Sequence, residues 1–529
     1  MKFKAFLLVC MAIERGRLMG GLCLLTSLFI FLPTSVAAVC APAHSSTTHG
    51  IVQSSQQSTA PTPVSARADG SQAEHLAPAT AAKATTLNIP TATVSFDPPP
   101  PVIRRVTTNA NLVPIAPATF AHALEAIDKG ILFLKSTQSA NGGWMEGIAA
   151  APTATMPTSG LAGGDSQVKS VEAANSANTS APIPAQAPSL NAANSVASNA
   201  ASAAVTALVV RAFAQRGLSI QGDAALDRAA TRLVDVVMGK NGFQPDASGG
   251  MATYVASCTA MGLAALQEAK YEKTLSAALA WIRESQWDES EGIAPTQDWY
   301  GGAGYGSKGR PDLSNTQLML DALHESNATA KDASVERAVI FLTRCQNLKS
   351  TNAAAWAQSG ANDGGMVYTP ANGGESFASE MAGEGRAGEK MPAGTRALRS
   401  YGGMTYAAYK SMLFAGLSKN DPRVLAAKAW IENNFTFSEN PGLGQQGYYY
   451  YIHAAARAML ACGNDTVTDT AGTKHNWREE LIDSIIVRQR PNGSWQNPET
   501  RWMEDSPDLA TVFAVLALEE AIKPVRVSQ

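Results

Sequence analysis

The sequence predicts an all-α fold, a six-hairpin (α/α)6 toroid with inner and outer rings of helices, preceded by a disordered leader. Three observations carry that expectation. Two kinds of helical pattern alternate along the chain, the pattern Q-x-x-x-G-x-W occurs near both ends of the helical part, and tracts rich in Ala, Ser, Thr and Pro stand apart from it.

The chain opens with Lys2, Lys4, Arg15 and Arg17, an apolar run from Leu18 to Leu32, and small residues up to Ala38. This order of basic, apolar and small residues predicts a signal peptide over 1–38 and export to a periplasmic or extracellular space. Were the segment not cleaved it would anchor the chain, although the run is shorter than the roughly 20 residues a comfortable membrane span needs. Membrane association is expected through that segment alone. Residues 39–117, which include Pro98-Pro-Pro-Pro101, lack sustained periodicity and read as a disordered leader. A similar tract at 148–199 reads as a low-complexity insertion in a toroid of residues 118–522, and 523–529 as a tail.

Six segments are amphipathic: Ala121 to Gln138, Ala224 to Met238, Thr274 to Gln286, Ser334 to Gln346, Val424 to Asn434 and Arg478 to Gln489. Their apolar residues recur at three and four, so these are expected as outer helices. Six others are small and apolar nearly all round: Ala201 to Ala214, Tyr254 to Leu266, Leu313 to His324, Thr405 to Ala415, Tyr449 to Ala461 and Leu509 to Ala521. Helices with so little polar face belong inside. The two Q-x-x-x-G-x-W motifs, Gln138, Gly142 and Trp144 and then Gln489, Gly493 and Trp495, fall at outer-helix ends. There a glutamine bonds open backbone groups, a glycine reverses the chain and a tryptophan packs on a neighbour, which is a structural role.

Composition excludes some functions. With a net charge of −3 and only 16% charged residues, no basic surface for nucleic acid is expected. Cys258, Cys345 and Cys462 are far apart, without C-x-x-C spacing, and read as buried thiols.

The Gln/Trp motifs, the paired-helix repeat and the Gly-rich turns resemble the terpenoid cyclase and protein prenyltransferase superfamily, especially the squalene-cyclase-like repeat proteins, over roughly Phe120 to Ile522. The resemblance implies a central aromatic-lined cavity for an apolar or mixed small-molecule ligand. It also implies an initiating acid in a D-x-D-D-T motif, which here reads Asp312-Leu-Ser-Asn-Thr316, so only Asp312 is titratable. Asp312 and Asp508, each after a proline at the start of an inner helix, are the candidate catalytic groups, and both suit helix capping as well. Trp299, Tyr305, Tyr406, Tyr449 and His453 are the candidate ligand-binding residues. The zinc site of prenyltransferase relatives is not expected, because their D-x-C spacing is absent, and no other cofactor is implied. Whether the chain catalyses a reaction stays open. The expected functions are a cyclase-like ligand-binding protein, a non-catalytic binding or scaffold protein, or a carbohydrate-processing enzyme with two carboxyl groups roughly 5 to 10 Å apart.

Overall fold

The computed structural model describes residues 114–145, 190–246, 250–306, 308–378 and 398–524, with only the backbone for 190–199. The expected signal, nearly all of the leader, most of the insertion and the end of the tail lie outside these residues. So do residues 379–397, a stretch that carries Glu380, Glu384, Arg386, Glu389, Lys390 and Arg396. The described residues fall within one unit, Ser95–Gln529.

That unit is helical, with three two-stranded ribbons as its only sheets among the described residues. The outer series comprises α1 (Pro117–Thr137), α3 (Ala224–Val237), α5 (Glu272–Ser285), α7 (Ala333–Cys345), α10 (Pro422–Asn433) and α12 (Trp477–Ile486). The inner series comprises α2 (Leu190–Gln215), α4 (Ala252–Leu266), α6 (Leu313–Glu325), α9 (Gly402–Phe414), α11 (Tyr448–Cys462) and α13 (Pro507–Ala521), and a short α8 (Ala355–Ser359) lies between α7 and α9. The sequence places all twelve long helices within a few residues at most ends. The exception is α2, whose first turns lie inside the expected 148–199 insertion.

Local chemistry sets the helix starts. Asp223 caps α3 through the N–H groups of Ala225 and Leu226, Asp332 caps α7, Asp421 precedes Pro422 at the start of α10, and Asn476 caps α12. Inner helices are buried around nearly their whole circumference: α4 is buried from Val255 to Ala264 and α13 from Leu509 to Ala521. They pack in sequence, α2 on α4, α4 on α6, α6 on α9, α9 on α11 and α11 on α13, and α13 returns to α2.

The glutamine and glycine of the motif form a staple between outer helices, and that staple occurs four times among the described residues, twice without the tryptophan. Gln138 Nε2 donates to the carbonyls of Gly142, at 3.0 Å, and of Ala225 on α3, at 2.8 Å. Gln489 does the same with Gly493 and with Ala126 on α1, tying the last outer helix to the first. Gln286 bonds Gly301 and Ser334 on α7, and Gln346 bonds Gly364 and Arg423 on α10. All four glycines have φ between +79° and +93°. A Cβ on any of them would come within 2.6 Å of a backbone carbonyl oxygen of the next outer helix, at Arg228, Arg337, Ala426 or Lys129. Only glycine meets both demands.

Two residues beyond each glycine the backbone N–H turns inward. The N–H groups of Trp144, Ala303, Met366 and Trp495 donate to Thr206, Thr316, Thr405 and Thr511 on inner helices. Each indole N–H of Trp144 and Trp495 reaches a carbonyl of its own outer helix, Leu134 and Ile485. One loop thus bonds to two outer helices and an inner one, through Gln138, Gly142 and Trp144 at one place and Gln489, Gly493 and Trp495 at another.

Candidate functional site

Asp312 sits at the start of α6, paired with Ala303 in the ribbon of Ala303–Gly304 and Pro311–Asp312. Its extended backbone makes it the N-cap, and its side chain is 1% exposed. One carboxylate oxygen accepts from the Asn315 N–H and the other from the Asn315 side-chain amide, both at 2.9 Å. Burial pushes its pKa up to about 7, against the opposing pull of the Asn315 hydrogen bonds and Arg310. Capping and proton exchange near neutrality therefore coexist in one carboxyl group.

Around it the inner-helix N-termini meet through aromatic rings. Tyr305 stacks on Tyr254 with centroids 6.0 Å apart, and Tyr368 lies 4.4 Å from Phe377, which also meets Tyr401 and Trp502. The Tyr450 hydroxyl takes a hydrogen bond from Gln317 Nε2 at 3.1 Å and lies 3.4 Å from Ser314 Oγ, so α11 and α6 face each other here. Burial raises the pKa of Tyr305, Tyr368, Tyr401 and Tyr450, which keeps the phenols neutral. This tyrosine-lined mouth contains Tyr305, Tyr254, Tyr368 and Tyr450.

Further along the same helices the chemistry changes. Lys410 on α9 pairs with Asp321 on α6 at 2.6 Å and reaches Gln317, both partners being 1–2% exposed. Arg457 on α11 lies 3.3 Å from Asp321 and 2.8 Å from Glu325, and Arg211 on α2 bonds Glu325 at 2.7 Å. Glu520 on α13 lies 3.5 Å from Arg211 and 3.6 Å from Arg457, and Lys523 closes on it at 2.8 Å. Burial pushes Asp321 up and Lys410 down, and their pairing opposes both shifts. Glu325 is pushed up to about 7 by burial. No contiguous sequence pattern marks this network, because its members lie on helices far apart in the chain. Its signal was nonetheless present, in lone charges at Arg211, Asp321, Lys410 and Arg457 within otherwise apolar helices.

Between mouth and network lies an enclosed cavity lined by residues of all six inner helices, from Leu208 on α2 to Phe513 on α13. Counted as positions open to the centre of a water molecule its volume is about 10 Å3, room for roughly one water. Buried charges border this space, with Asp321, Lys410 and Arg457 reaching it from α6, α9 and α11. Of the candidate ligand-binding residues only His453 lines this space, where it packs on Phe513 at 5.6 Å with its Nε2 lacking a hydrogen-bond partner. Burial holds the imidazole well below its usual pKa, hence neutral.

The other candidates lie elsewhere. Asp508 accepts from Thr137 Oγ1 at 2.8 Å, at the end of α1, and α13 stands three helices round the cycle from α6, so the two aspartates are not brought together. Trp299 packs edge-on against Trp287 in the loop after α5. Tyr406 is fully buried against Tyr451, and Tyr449 against Tyr448. Glu504 accepts from the N–H groups of Tyr449 and Tyr450 and from Asn497, which makes it a cap supplied to α11 from outside, where Gly447 has no side chain to offer. Cys258 and His453 share the axial space, yet burial pushes the thiol up to about 12 and Asp321 is committed to Lys410 and Arg457. Among the described residues no group of three or more His, Cys, Asp or Glu is placed to hold a metal ion. Cys258, Cys345 and Cys462 are buried free thiols, and no helix is long and apolar enough to cross a membrane among the described residues.

No family model matches the sequence, and no curated protein does. Among solved structures the chain is similar to a type II terpene cyclase from Scytonema in complex with its product merosterolic acid A, at 12% identity and a TM-score of 0.38, over 77% of this chain and 99% of that one. The reading of the site rests on the geometry of this chain.

Proposed function

We propose that this chain is an exported, squalene-cyclase-like (α/α)6 toroid that acts as a non-catalytic binding or scaffold protein through its surfaces, with its axis closed to ligands. One observation carries the reading: all six inner helices line the axial space, and it holds about one water. Pockets for small molecules and cofactors usually measure about 300–1,000 Å3. Isoprenoid cyclisation on the axis would require the Lys410, Asp321 and Arg457 network to be dismantled. Export rests on the N-terminal basic, apolar and small-residue order.

A second reading is supported by Asp312, a carboxyl with a pKa of about 7 among tyrosines at the mouth. A carboxyl so placed suits acid–base work on a small ligand held at the mouth. Incubation of the full chain, and of Asp312→Asn, with squalene and with geranylgeranyl diphosphate, followed by gas chromatography and mass spectrometry, separates the two. The scaffold reading expects unchanged substrate in both samples. Product formed by the unaltered chain and lost in Asp312→Asn would overturn it in favour of the second.

A further inference from the structure

His453 lies on α11 three residues after Tyr450 and four before Arg457, a spacing that sets the three on one face of the helix. On α6 Gln317 and Asp321 share a face in the same way. Tyr450 meets Gln317 at 3.1 Å and Arg457 meets Asp321 at 3.3 Å, so His453 stands opposite the gap between those two contacts. The axial space of about 10 Å3 lies there, and both His453 and Asp321 line it. Each brings one polar atom without a hydrogen-bond partner, Nε2 of His453 and Oδ1 of Asp321, and both residues are more than nine-tenths buried. The other oxygen of Asp321 serves Lys410 at 2.6 Å and Arg457. Two unpaired polar atoms from different helices, facing one small enclosed space, point to a ligand, because buried polar groups are costly to leave unmatched.

We propose that this space is a binding site for a single ordered water, which donates to Asp321 Oδ1 and hydrogen-bonds His453 Nε2. Size and charge both select it. The volume admits one water. A metal cation there would face the ammonium of Lys410 and the guanidinium of Arg457, and an anion would face the Asp321 carboxylate. A neutral molecule that both donates and accepts suits all three. His453 is held neutral by burial and can complete the bridge from either tautomer. The water joins α11 to α6 between the Tyr450 and Arg457 contacts, and it gives the Asp321 carboxylate a third donor beside Lys410 and Arg457. His453 is then a positioning residue of the charged network, not a contact for an apolar guest. This inference rests on the closed axis proposed above.

A crystal structure of the full chain at a resolution that shows ordered solvent tests it, with a second crystal soaked in sodium bromide. The expected result is one isolated density peak within about 3.2 Å of both atoms, without a bromide anomalous signal. A space free of density, or a peak that carries the bromide signal, would overturn the inference and leave the closed axis standing. Extended density from an apolar molecule would overturn the closed axis as well. In solution, oxygen-17 relaxation dispersion should count one long-lived water fewer in Ala454→Val than in the unaltered chain, because the added methyls enter the space that Ala454 lines. An equal count in the folded variant would overturn the proposal.

Discussion

At their N-terminal ends the inner helices meet through tyrosines, with Tyr450 reaching Ser314 and Gln317. One to two turns further along they meet through Lys410, Asp321, Arg457, Glu325 and Arg211. Gln317 joins the two regions, its amide N–H donating to the Tyr450 hydroxyl and its carbonyl oxygen accepting from Lys410 Nζ. A neutral hydroxyl can lose a partner at modest cost, whereas a buried ion left alone has nowhere to place its charge. The tyrosine end can therefore vary, and the charged end holds the axis shut as a unit.

Breaking the charged end should have the largest effect. Lys410→Met strands Asp321 and is expected to cost about 3–5 kcal/mol of unfolding free energy in urea. Lys410→Met with Asp321→Leu should recover most of that loss, which a set of independent contacts would not do.

The wall comes next. Gly301→Ala sets a side chain against the Arg337 carbonyl at positive φ and should cost about 2–3 kcal/mol. Gln346→Ala leaves the Gly364 and Arg423 carbonyls without their donor and should cost about 1–3 kcal/mol, by the same urea measurement.

The mouth gives smaller effects with a pH signature. Asp312→Ala removes a cap and should cost about 1–2 kcal/mol. Between pH 4 and 7 the folded Asp312 keeps a proton that the unfolded chain, with a value near 3.8, has lost. The folded state then binds more protons, so stability falls as pH rises through that window and levels off above it. Glu325 adds the same sign. Unfolding free energies measured from pH 4 to 8 should show a shallower decline in Asp312→Asn. Tyr450→Phe, which loses one neutral hydrogen bond, should cost about 1 kcal/mol at any of these pH values.

The sequence revealed the helices because burial imposes a period on them, and it revealed two staples because Gln138 to Trp144 and Gln489 to Trp495 are contiguous. The other two were hidden by long loops between Gln286 and Gly301 and between Gln346 and Gly364, and by Ala303 and Met366 standing where tryptophan does elsewhere. Asp312 was legible as a cap from proline and aspartate before an apolar run, but the same start at Pro507-Asp508 yields no side-chain cap, so the pattern alone does not decide. That Tyr406 and Tyr449 face away from the axis was not legible, since a helix apolar on every side gives no sign of which face is central. The axial network was not legible although each charge stands in the sequence, because pairing between helices far apart in the chain leaves no local pattern.

The central claim is that the axis is filled by the protein itself. Native mass spectrometry of the full chain purified from its own host tests it most directly. The account predicts the mass of the polypeptide alone, with no retained isoprenoid or other apolar molecule. A stoichiometric bound isoprenoid that is released when Lys410 and Asp321 are replaced would contradict it.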